Sequence, residues 1–360
     1  MKKILIFACR RGRTRDLPLL RAGARAAGFR FVLVLVPFAW PILLLAAIAR
    51  WMGVEVSVVI SDRFAGDPWL ARLLGPDAAR MLWNYADEFP RALQMAPQKR
   101  VCFFEDTQHP VQLFRFAPQL HLRSPNPQAR RQVLFIGDVT NSSSLPGGAD
   151  WWEERFAALR AKHGHGFYLT QDYRDLLAAH TGSAGERRLA HVLCKNLLRL
   201  WIAQSVSLAF GDRLQLVGPN WGRFGLASQP AAYSLQARLD LYESAAVNLD
   251  CGSKSGDAAL YPRSSEIISY AGAPVQVVCA DSALVFGARI DEFVFADEHT
   301  LHTLLEQRLA EPEAQRLERA EWLAQHLERH QLTMADSFRH LWAPSPSRPV
   351  PAPDAPTHRR

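Results

Sequence analysis

The residue types that handle phosphate esters gather in one stretch of this chain. It runs Asp250-Cys251-Gly252-Ser253-Lys254-Ser255-Gly256-Asp257 and then Tyr261-Pro262-Arg263-Ser264-Ser265-Glu266. A Gly/Ser loop carrying Lys254 leads into a helix expected to start at about Ser264. Ser264 and Ser265 are good cap residues, and the N–H groups of a first helical turn attract anions. Arg263 beside them can grip a phosphate in bidentate fashion, and Glu266 can accept hydrogen bonds from a sugar or ribose. A Ser-Ser-Glu run also caps ordinary helices, so alone it does not separate binding from structure.

Other polar groups follow apolar runs. Asp106 and His109 come after a run ending at Phe104 and are candidates for a general base. Gly137-Asp138 and Gly218-Pro219-Asn220-Trp221 stand in the same relation to the runs ending at Ile136 and Val217. Arg10-Arg11-Gly12 follows the first run, yet neither GxGxxG nor GxxxxGK[ST] occurs, so a dinucleotide fingerprint or P-loop is not supported. A nucleophile elbow, HExxH and an EF-hand loop are also missing. His163-Gly164-His165 is the most closely spaced histidine pair, and without a third ligand it predicts no metal site.

These groups need a scaffold. Short apolar runs at 3–9, 31–36, 54–60 and 101–104 are separated by helical patterns at 17–27 and 41–52, closed by Gly28 and Gly53. A second series has strands at 133–138, 214–218, 246–250, 275–278 and 292–295. Helices are expected at about 151–163, 187–207, 264–271, 300–309 and 312–331. Such alternation indicates parallel sheets covered on both faces. The architecture predicted is α/β, with two Rossmann-like doubly wound domains facing across a cleft. The first spans residues 1–130 and the second 131–335, and the Pro-rich tail 343–360 is expected to be disordered. In such sheets ligands sit at the carboxyl ends of the strands, where the residues singled out above would lie.

Composition sets the bounds. The 360 residues, 48% of them hydrophobic, suffice for two ordinary cores. Charged residues at 21% argue against a disordered chain or a coiled coil. An excess of 42 basic over 35 acidic residues gives +7 and a pI near 9.4, which suits a phosphate-bearing partner or simply a solvated basic face. The densest basic run, Arg10 to Arg15, is too short for a nucleic-acid-binding arm. Five dispersed cysteines with no CxxC pair point to a reducing compartment and no disulfide framework.

Residues 31–49 carry no charge and are long enough to cross a bilayer. Pro37 and Pro41 fit a strand, a turn and a buried helix better than one continuous span. The helix could instead rest against a membrane surface.

Four segments occur in a telling order: Phe135-Ile136-Gly137-Asp138; Leu216-Val217-Gly218-Pro219-Asn220-Trp221; Leu241 to Leu249; and Arg263-Ser264-Ser265-Glu266-Ile267-Ile268-Ser269-Tyr270-Ala271-Gly272-Ala273-Pro274. Over roughly 131–335 the chain resembles the C-terminal half of a GT-B glycosyltransferase, most closely the spore-maturation CgeB-like group of the family-1 clan. The first half is similar only in its strand–helix pattern and in the Asp106-x-x-His109-Pro110 turn. The resemblance implies a nucleotide-sugar donor bound without metal or other cofactor. Arg263 would face its diphosphate, Glu266 its ribose or sugar hydroxyls, and Gly137 would let the backbone come close. Gly218, Asn220, Trp221, Asp138, Lys254, Ser264 and Ser265 complete the expected donor site. Asp106 or His109 would serve as base for a glycan, lipid-linked or protein acceptor held by the first domain. The expected setting is cytoplasmic, with peripheral inner-membrane contact and no nucleic acid. Ser264-Ser265 replaces the large residue usual before the Glu, which alters the helix entry. A two-domain nucleotide-sugar epimerase and a non-catalytic scaffold are the alternatives.

Overall fold

A computed structural model describes residues 3–8, 17–34, 40–61, 79–83, 100–102, 130–139, 198–251, 262–271, 274–279 and 282–340. It also describes Glu154, Ala157, Ala158, Ala161 and Lys162, all helical. Asp106, His109, Lys254, the His163-Gly164-His165 pair and the 343–360 tail lie outside the described residues.

Among the described residues ten strands form two parallel sheets. The first contains β1 (Lys3–Ala8), β2 (Phe29–Val34), β3 (Glu55–Ser61), β4 (Ala79–Trp83) and β5 (Arg100–Cys102), in the order β2-β1-β3-β4-β5. The second contains β6 (Arg130–Ile136), β7 (Leu214–Val217), β8 (Ala245–Asp250), β9 (Pro274–Val277) and β10 (Val294–Phe295), in the order β10-β9-β8-β6-β7. Each sheet thus places its first strand between its second and third. Each therefore has a doubly wound order with one reversal, at β1/β3 and at β6/β8. Strand β4 was not expected from the sequence: Ala79-Arg80-Met81-Leu82-Trp83 lacks the β-branched residues that mark a strand.

In the first sheet, helix α1 (Leu17–Ala26) follows β1 and α2 (Trp40–Trp51) follows β2. Alternation does the sorting. Ile6, Val34, Val56 and Val58 share one face and pack against Ile42, Ala46 and Ala49 of α2. The twelve residues of α2 reach about 18 Å, well short of a bilayer core. Among the described residues no helix is long and apolar enough to cross a membrane.

In the second sheet, the described part of α3 covers 198–210 and α4 spans Leu235–Ser244. Further on come α5 (Pro262–Ala271), α6 (Ser282–Phe286), α7 (Glu298–Ala310), α8 (Glu313–Arg329) and α9 (Met334–His340). Val133, Phe135, Leu216, Val247 and Leu249 meet Trp201 of α3 and Leu301 and Leu305 of α7 on one face. Leu134, Ile136 and Val217 meet Tyr242 of α4 and Ile267 of α5 on the other. The strands are largely buried on both faces, which is why Val133 to Ile136 reads as an unbroken apolar run; β7, β8 and β9 are apolar but for Gln215, Asn248, Gln276 and the strand-end Asp250.

Helix α9 returns to the first sheet and lies on α1. Thr333 and Asp336 cap it reciprocally: the Asp336 N–H donates to Thr333 Oγ1 (3.2 Å), and the Thr333 N–H and hydroxyl donate to Asp336 Oδ2. Gly23 makes the approach possible, because a Cβ there would lie 2.1 Å from Met334 Cγ. Arg339 donates to the Ala26 carbonyl at 3.0 Å.

Candidate functional site

The carboxyl ends of β6 and β8, at the reversal of the second sheet, bring several of the expected residues together. Gly137 and Asp138 follow β6, while Asp250 ends β8 and α5 starts at Pro262. The Ser264 hydroxyl donates to Asp250 Oδ2 at 2.5 Å, tying the first turn of α5 to the strand end. The helix enters two residues earlier than expected. Ser264 and Ser265 consequently sit inside the first turn, buried to 1% and 0% exposure, rather than capping it. Pro262 suits that entry, since the missing N–H of a first-turn proline has no helical partner to lose.

Arg263 and Glu266 belong to a buried ionic cluster. Arg238, from the first turn of α4, donates through Nε to Glu266 Oε1 (2.7 Å) and through Nη2 to Oε2 (3.2 Å). The Tyr242 hydroxyl donates to Oε1 at 2.7 Å and accepts from Arg263 Nη1 at 3.0 Å. Arg263 Nη1 also reaches Glu266 Oε1 at 3.2 Å. All four side chains are buried. Burial pushes the Tyr242 phenol above its ordinary value; Arg263 draws it back, and Glu266 adds to the rise. Both Glu266 oxygens are thus engaged by protein groups. Were a ribose to bind this carboxylate, it would have to displace Arg238 or Tyr242.

The Gly218-Pro219-Asn220-Trp221 turn after β7 holds the loop after β6. Trp221 is fully buried, edge-on to Phe135, and its indole N–H donates to the Gly137 carbonyl at 3.0 Å. The Asn220 amide donates to the Val139 carbonyl at 2.8 Å from a left-handed backbone. Gly218 has φ 142°, and a Cβ there would lie 1.9 Å from the Gly137 oxygen. These three residues position Gly137, and Trp221 offers no exposed ring for stacking.

Asp138 is largely exposed, with its side chain at 58%. Arg199 of α3, buried at 3%, donates to its carbonyl (3.0 Å) and to Oδ1 (3.1 Å).

Arg199 and Arg238 were missed by sequence reasoning. Arg199 left a signal, being a lone charge within Leu197-Leu198-Arg199-Leu200-Trp201-Ile202. Arg238 left little, because its partner lies 28 residues away.

A small open groove of about 30 Å³ lies at the other, amino end of β8 and β9, lined partly by Asn248, Tyr270, Arg308, Arg316 and Arg319. Arg308 and Arg319 are tied there to Glu292 and Glu311 by ion pairs. Being away from the strand ends where doubly wound sheets bind ligands, the groove is not taken as the candidate site. Among the described residues no group of three His, Cys, Asp or Glu side chains is placed to hold a metal. Cys251 and Cys279 are buried.

No protein-family model matches this chain, and no curated protein matches it.

Proposed function

We propose that this chain is a glycosyltransferase that takes a sugar from a nucleotide-sugar and transfers it to a glycan, lipid-linked or protein acceptor. The observation carrying this reading is the position of Gly137, Asp138, Asp250 and the first turn of α5. All meet at the carboxyl ends of β6 and β8, where a doubly wound sheet reverses and takes its ligands. In this reading the two sheets belong to two domains of GT-B type, with the donor in the second and the acceptor in the first.

The chemistry needs charge stabilisation on the departing phosphate and a base for the acceptor hydroxyl. The N–H groups of the first turn of α5 and the Arg263 guanidinium supply the first, with Lys254 from the preceding Gly/Ser-rich sequence. Asp106 or His109 supplies the second. Glu266 takes a positioning role, holding Arg263 through the Tyr242 and Arg238 network, rather than a direct role on ribose.

The test is a thermal-shift screen of the full chain with UDP, GDP, CMP and TDP, each with and without Mg²⁺. One nucleotide should raise the melting temperature without metal, by about 2.7 kcal/mol of stabilisation at a hundredfold excess over its Kd. Arg263→Ala should weaken that nucleotide at least tenfold while folding is kept, because Glu266 retains its bonds from Arg238 and Tyr242. Silence across the panel from folded protein would sink the proposal. A non-catalytic scaffold would then be the better reading, favoured by one observation already made: the Glu266 carboxylate is closed off by its own protein. A nucleotide-sugar product formed with no acceptor would point to epimerisation instead.

A further inference from the structure

We infer that the outward face of α2 docks the protein on an anionic phospholipid surface. This inference is independent of the glycosyltransferase reading. The helix sequence Trp40-Pro41-Ile42-Leu43-Leu44-Leu45-Ala46-Ala47-Ile48-Ala49-Arg50-Trp51 contains a single polar side chain, Arg50. A helix that is apolar all round is ordinarily enclosed by protein or lipid. Among the described residues this one is enclosed on one side only. Ile42, Ala46 and Ala49 are buried against the first sheet. Trp40 (63% exposed), Leu44 (51%), Ile48 (44%) and Trp51 (88%) recur at helical spacing along the opposite side, and Met52 extends the stripe. The companion helix α1 shows the contrast, since α9 packs on it through Gly23 and Met334.

The chemistry of the stripe and of its surroundings selects the occupant. A tryptophan stands at each end, and indole rings favour the headgroup level of a bilayer, where one edge is apolar and the other wet. The first 61 residues carry ten Lys and Arg against two acids, Asp16 and Glu55, and residues 17–54 contain no carboxylate. The whole chain carries +7, so its excess positive charge resides in this segment. Arg50 on α2 and Arg30, which shares the sheet face that α2 covers, are exposed, whereas the exposed Arg21 and Arg25 stand on α1 across the sheet and add only to the long-range field. A protein partner needs no such one-signed field, whereas a surface of anionic headgroups attracts it at long range and accepts the apolar stripe at contact.

The experiment is co-sedimentation of the full chain with two kinds of vesicle, phosphatidylcholine alone and phosphatidylcholine mixed with phosphatidylglycerol. Binding should be at least about tenfold tighter to the mixed vesicles and should weaken as salt is raised. The double variant Leu44→Glu/Ile48→Glu should lose at least about tenfold of that binding, while its melting temperature stays at the wild-type value because both side chains are already half exposed. Trp40→Ala/Trp51→Ala, which adds no charge, should also weaken binding, showing that the loss is not repulsion alone. Equal binding of wild type to both vesicles, no binding to either, or full binding by the Glu double variant would overturn the inference. A dimer that the Glu double variant abolishes, with no vesicle binding by wild type, would overturn it too and assign the face to a second copy of the chain.

Discussion

Glu266→Gln separates a carboxylate that holds the fold from one that waits for a ligand. The substitution keeps the size of the side chain and removes its charge. In the wild type the carboxylate accepts from Arg238 twice, from Tyr242 and from Arg263, at 2.7 to 3.2 Å. An amide keeps one accepting oxygen and turns an NH₂ toward a guanidinium, donor against donor. Both buried arginines lose this counter-charge, and breaking a buried ion pair from one side costs about 3–5 kcal/mol. At roughly 2–4 °C per kcal/mol for a unit of this size, the melting temperature should fall by roughly 6–20 °C. Calorimetry and urea unfolding of the full chain read this directly. The double variant Arg238→Gln/Glu266→Gln should be less destabilised than the two single changes added together, by about 0.5–3 kcal/mol of coupling. A Glu266→Gln protein melting within about 2 °C of wild type, well below the shift derived above, would refute the reasoning. If it also lost nucleotide binding, Glu266 would have to be read as a ligand group. For the same reason a loss of activity in Glu266→Ala is weak evidence of catalysis, because the variant also dismantles the cluster.

Gly218→Ala should destabilise by roughly 2–4 kcal/mol or prevent folding, since it combines a positive φ with a Cβ 1.9 Å from the Gly137 oxygen. A wild-type urea midpoint would mean that the loops after β6 and β7 do not approach as described. His326 is stacked on Trp322 and faces His330, Arg329 and the Leu284 carbonyl. Burial lowers its pKa, the Leu284 carbonyl opposes this, and the neighbouring cations add to the lowering. The unfolded chain then takes up a proton near pH 6.5 before the folded one does, so this contribution is complete above about pH 7 and is lost as pH falls. His326→Gln should flatten the decline in urea midpoint between about pH 7 and pH 5. An unchanged slope would exclude His326 as its source.

Much of the scaffold is legible without coordinates. Val54 to Ile60, Val133 to Asp138 and Ala246 to Asp250 announce strands because a strand buried on both faces is mostly apolar, and only Glu55, Ser57, Asn248 and the strand-end residues interrupt these runs. Gly28 and Gly53 mark helix ends, and Thr333-x-x-Asp336 carries a capping signal. These are rules of nearest neighbours along the chain. What the polar residues at the strand ends do depends on partners from elsewhere. Glu266 meets Arg238 across 28 residues and Asp138 meets Arg199 across 61, and no local pattern encodes either pair. The Ser264-Ser265-Glu266 run could equally cap a helix, bind a nucleotide or neutralise buried cations. Only strand order, which brings α4 beside α5 on one face of β6 and β8, decided that Glu266 faces two arginines and a tyrosine. The same holds for Trp221 and for α2. Composition made both apolar, and packing put one wholly inside and left one side of the other facing water. The physical reason is common to all of them: periodicity along a chain sets what an element is, whereas burial and charge pairing are properties of the surface it meets.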